Sequence, residues 1–155
     1  MKKFRFSLES VLDYKQQELD ARKAEQVAAQ AAVLRQEKVL ADARERYTDL
    51  SREFQEKAQS GLKAAEAMTY EMGLRVLEAE IQQEVGRLEE FQRIKEAKRA
   101  AVVEARQESA SLEKLREKKL ESYRKDVQKS EERLIDELVS AARVSGGQNL
   151  QAALS

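Results

Sequence analysis

The chain has 155 residues, 37% of them charged and 5% aromatic, with 29 basic and 29 acidic side chains in balance. Histidine, cysteine and proline are absent, which excludes disulfides, thiolate metal sites and imidazole-based catalysis. Of the 41% counted as hydrophobic much is alanine, whose methyl group buries little area, so the composition argues for long helices or a coiled coil over a compact core.

In chain order, Met1-Lys2-Lys3 is basic but precedes no apolar stretch of the kind a signal peptide carries. The cluster Lys2-Lys3-Phe4-Arg5-Phe6 has two readings: fraying residues beside a helix start, or an anchor for a partner. Ser7 is placed to cap a helix, with Phe6 and Val11 at the positions of a hydrophobic staple. The first helix is expected over about residues 8–59, a stretch free of glycine and proline. Residues 60–63, with Gly61, form the turn, because glycine accepts the left-handed conformation that ends a helix. The second helix is expected over about 64–143, with Gly73 and Gly86 as weak points, and Gly146-Gly147 as its end. Residues 144–155 are then a flexible tail and residues 1–143 a single domain.

Apolar spacing decides how the helices meet. Leu40, Ala43, Tyr47, Leu50 and Phe54 alternate in steps of three and four, as do Tyr70, Leu74, Leu77 and Ile81. A chain folded back at Gly61 sets Phe54 against Tyr70, Leu50 against Leu74, Tyr47 against Leu77 and Ala43 against Ile81. Val33 then faces Phe91, and Leu12 faces Leu112. Two positions break the pattern, with Leu40 facing Glu84 and Gln36 facing Leu88, and the stripe drifts between residues 15 and 33. The predicted fold is all-α: a long antiparallel two-helix coiled-coil hairpin with a protruding second helix. Residues beyond about 117 lack a facing arm, yet Leu120, Tyr123, Val127, Leu134 and Leu138 continue the stripe. An unpartnered stripe in water implies another protein surface.

Chemistry is sparse. Carboxylates lie on solvated helix faces, no glycine-rich phosphate loop is present, and dispersed acids without histidine make no transition-metal site. No enzyme activity and no cofactor or metal are expected. Interleaved charges argue against nucleic-acid binding, and no stretch has the roughly 18 apolar residues of a transmembrane segment. The aromatic seam of Tyr47, Phe54 and Tyr70 reads as hairpin packing or as a partly exposed contact; the basic run "KLREKKLESYRK" reads as a solvated face or a docking surface.

The opening F-x-F-x-L-x-x-[VL]-L, here Phe4, Phe6, Leu8, Val11 and Leu12, resembles the flagellar export protein family FliJ. "YEMGLRVLEAEI" is similar to the family's pattern at Tyr70, Leu77, Glu78 and Ile81; the chain departs from some members at Gly73, where they carry a bulky aromatic. The resemblance covers about residues 4–140. It implies a non-enzymatic two-helix stalk, similar to the central stalk of rotary ATPases, in the bacterial flagellar type III export apparatus. The implied partners are the export ATPase FliI, the cytoplasmic domain of the gate protein FlhA, and export chaperones that it helps recycle. The implied place is the cytoplasm, peripheral to the membrane at the flagellar base. Gate-facing residues are expected in the turn half, at Tyr70 and Leu77 with Tyr47, Leu50 and Leu74 beside them. ATPase-facing residues are expected in the terminal half: Phe4, Phe6, Leu120, Tyr123, Val127, Leu134 and Leu138. Two other readings are a self-associating structural coiled coil and the equivalent stalk of a virulence-type secretion system.

Overall fold

The computed structural model describes residues 2–154; the first and last positions of the expected domain and tail, 1 and 155, lie outside the described residues. The chain is all-α, with two long helices packed against each other: α1, Glu9–Ser60, and α2, Ala64–Leu154. Alanine, glutamate, lysine, arginine and leucine dominate both, and these residues lose little freedom in a helix. Glu9 in the first turn of α1 and Lys57 in its last complement the helix dipole.

Between the helices Gly61 takes a φ of 105°, the one positive φ among the described residues. A Cβ added there meets no atom within 4 Å, so the penalty for any other residue comes from the backbone alone. Gly61→Ala is expected to cost about 1–2 kcal/mol, a fall in Tm of roughly 2–8 °C. Gly61→Asn, which tolerates this conformation better, should lose less. Circular-dichroism melts with all three chains superimposed would refute the assignment.

Where one hairpin domain over 1–143 is expected, the chain divides into two compact units. The first comprises Gln17–Arg106, the arms on either side of the turn. Its core is thin: Val33, Leu40 and Ala43 of α1 and Val102 and Ala105 of α2 are buried. The Phe54 and Tyr70 rings face each other at 5.3 Å, tilted by 32°. Arg46 pairs with Glu80 at 2.8 Å and Lys98 with Glu25 at 3.1 Å, both within two positions of the expected register. The Lys98 ammonium, bonded to Glu25, holds that carboxyl below its usual range, with Arg22 adding to the effect. The polar break in the stripe has a specific resolution. Gln36 bonds Glu84, one turn from the expected Leu88: its amide donates to the Glu84 carboxylate and, at 3.1 Å, to the Glu84 carbonyl. Both side chains are buried, and Arg87 donates to the second carboxylate oxygen at 2.9 Å.

The other unit joins residues up to Gln16 with those from Gln107 onward. Phe6, Leu12 and Ser109 are buried here, and Lys15–Glu108 at 2.7 Å and Arg116–Glu9 at 3.0 Å tie α1 to α2. The helix starts one residue later than a Ser7 cap requires, with the Glu9 amide donating to the Phe6 carbonyl at 3.1 Å. That shift rotates Val11 outward to 42% exposure and turns Leu12 inward to 4%, so Val11 does not serve as the staple residue.

Two expectations are corrected at the far end of α2. The helix does not stop at Arg143: residues 144–154 of the expected tail are helical, through Gly146 and Gly147 to Leu154. Neither glycine takes a positive φ, and the Gln, Leu and Ala residues that follow are good helix formers, offsetting the roughly 1 kcal/mol that each glycine costs. Nor is α2 bare from residue 117. Residues 2–6 are not helical and lie as a strap along α2 as far as Asp126. An extended segment advances about 3.3 Å per residue against about 1.5 Å in a helix, so a few residues cover several turns. From residue 128 onward every described side chain is exposed.

Candidate interaction surfaces

The turn-half residues Tyr47, Leu50, Tyr70, Leu74 and Leu77 lie together in the seam and are all half-buried. Tyr70 is further engaged: its hydroxyl donates to Glu53 at 3.1 Å, and the Lys57 ammonium lies 5.6 Å from its ring centre. The Tyr70 hydroxyl beside Lys57 holds that ammonium's pKa above its usual value. These side chains thus spend much of their surface within the unit. Gly73 explains the close approach of the helices, because a Cβ there would stand 3.1 Å from Leu50 Cδ2. A bulky residue at this position would have to push Leu50 aside.

Free apolar surface lies elsewhere on α2. Met68, Met72 and Val76 are 63%, 65% and 68% exposed. They belong to an uncharged, exposed file, Ala65, Met68, Met72, Val76, Ala79, Gln83 and Gly86, spaced in steps of three and four. At about 100° per residue this file lies roughly 170° around the helix from the seam. Sequence reasoning missed it because the seam already accounted for one apolar stripe. The signal was a second stripe without charge in a helix otherwise rich in it. Methionine, unbranched and polarizable, suits a surface that adapts to a partner.

In the other unit the structure brings Phe4, Phe6 and Tyr123 to one groove; Leu120 and Val127 are half-buried on the same helix, and Val127 lines a separate hollow with Leu134. The Phe4 and Tyr123 rings are 5.6 Å apart, and the Arg116 guanidinium lies 5.9 Å from the Phe4 ring centre. The Tyr123 hydroxyl donates to the Lys2 carbonyl at 2.6 Å. Lys2, Lys3, Arg5 and Lys119 line the groove beside the strap, with Asp126 as its acid. Leu134 and Leu138 are not part of this cluster; they stand exposed farther along α2, with Ile135 and Val139 beside them.

Among the described residues no group of three or more acidic, histidine or cysteine side chains could hold a metal ion. No described helix is long and apolar enough to cross a membrane. The family model for the flagellar FliJ protein matches residues 4–147, from the strap to the glycine pair. The chain belongs to the flagellar FliJ protein family. Membership makes it a component of the type III protein-export machinery. Among solved structures the FliJ-family chain is similar to a putative YscO homolog from Chlamydia trachomatis, at 16% identity and a TM-score of 0.46, covering 94% of this chain and 99% of that one. No curated protein matches it significantly.

Proposed function

We propose that this FliJ-family chain is a non-enzymatic coupling component of the flagellar export apparatus. Its terminal half binds the export ATPase FliI, its turn half binds the cytoplasmic domain of the gate protein FlhA, and it assists chaperone recycling. It works in the cytoplasm, held peripherally at the membrane through these partners. The observation that carries this reading is that each unit leaves a continuous apolar face of α2 uncovered by its own chain. Apolar faces of this kind on a charged helix mark protein contacts. In the turn half the accessible face is the Met68–Met72–Val76 file, with Tyr70, Leu74 and Leu77 supporting it from the seam side of the same helix.

Pulldown with purified ATPase and gate domain tests the division. A chain ending after Val127 should lose ATPase binding at least tenfold and keep the gate. The double substitution Met72→Asp/Val76→Asp should do the reverse. An unaltered chain that captures neither protein defeats the reading.

A further inference from the structure

The bare end of α2 is not built like a coiled-coil seam. Leu134, Ile135, Leu138, Val139 and Ala142 are all exposed, and on a helix of about 100° per residue they spread, with Ala141, over roughly 160° of its circumference. A two-stranded coiled coil covers the narrower stripe of its a and d positions, whereas a helix seated in a core or groove presents a broader one. A single partner helix laid on Leu134 and Leu138 would leave Ile135 and Val139 at the water's edge.

Charge narrows the occupant. Residues 131–138 hold four acids, Glu131, Glu132, Asp136 and Glu137, against Arg133 alone. Lys2, Lys3, Arg5 and Lys119 give the neighbouring strap groove the opposite sign. A second copy laid with this stretch against its own counterpart would bring acid to acid, which opposes pairing. We infer that residues 131–146 are a docking helix for a partner groove with an apolar floor, deep enough to enclose both flanks, and a basic rim. This deepens the terminal-half reading above and rests on it for the proteins used as probes. The mode is that of an amphipathic helix in a groove, with Leu134 and Leu138 as the central anchors and Ile135 and Val139 closing one side.

The full chain is titrated with three purified probes: the export ATPase, an export chaperone and the gate cytoplasmic domain. Two variants are compared with it: Leu138→Asp, and Glu132→Lys/Asp136→Lys/Glu137→Lys. Because every altered side chain is exposed, helicity by circular dichroism should be unchanged. At least one probe should bind each variant tenfold or more weakly, and that same probe should be indifferent to Met72→Asp. Probes that bind wild type and variants alike overturn the inference while leaving the coupling role standing. Capture of the chaperone alone in the expected pattern keeps the docking helix and removes the ATPase assignment. Binding by none of the three sinks both. A dimer in sedimentation that Leu138→Asp dissolves also overturns it, since a second copy would then cover the face.

Discussion

Gln36→Leu should destabilise the turn unit by about 2–3 kcal/mol, although it replaces a polar side chain in an apolar seam with an apolar one. The reason lies across the seam. Glu84 is buried, and Gln36 bonds both its carboxylate and its main-chain carbonyl. Removing the amide leaves a carboxylate with only Arg87 to satisfy it, in a place water reaches poorly. Gln36→Leu combined with Glu84→Leu should recover the loss, with stability within about 1 kcal/mol of wild type, or above it. The two changes are therefore strongly non-additive. Urea unfolding of the four chains in the cycle gives the coupling directly. A single Gln36→Leu within 0.5 kcal/mol of wild type, or a double variant as weak as the single one, would show that the polar layer contributes nothing.

Phe6→Ala is expected to remove about 3 kcal/mol from the other unit, and to do so locally. Phe6 is the one buried side chain among the described strap residues, at 8% exposure, while Phe4 is only half-buried against Tyr123. Without its anchor the strap keeps the Lys2–Tyr123 hydrogen bond and a ring contact, too little to offset the entropy of ordering the segment. Amide exchange over residues 9–16 and 119–127 should accelerate roughly a hundredfold, while that of residues 33–43 stays put. Phe4→Ala should show the same pattern at about a tenth of the size. Unchanged exchange in the Phe6 variant would mean that the strap is held by something other than this ring.

The helices, the turn glycine and the facing of Phe54 and Tyr70 were legible because each depends on local spacing. Three and four residue steps survive any tertiary detail, and Gly61 is required where no other residue adopts that φ cheaply. The strap was not legible. Residues 2–6 carry no periodicity, and nothing in a string of letters says that an extended segment outruns the helix beneath it, so the spacing alone leaves Tyr123 without a cover. Gly146-Gly147 misled for a related reason: glycine permits a helix end but does not impose one. The Gln36–Glu84 layer appeared only as a register fault, because pattern matching records polarity and not hydrogen-bond geometry. On the candidate surfaces the seam repeat is the stronger of two apolar patterns. Tyr70 and Leu77 satisfy the apolar repeat and are half-buried for that reason, whereas Met68, Met72 and Val76 stand outside the repeat and stay accessible.

The glycine pair near the end of α2 has a kinetic consequence. Each glycine costs a helix interior roughly 1 kcal/mol against alanine, and two in succession at 146 and 147 make this the weakest point of the described part of α2 beyond the strap. The helix should therefore open at the pair more often than in the docking stretch before it. A partner that grips residues on both sides of the pair would suppress that opening, so its binding should slow amide exchange at 146 and 147.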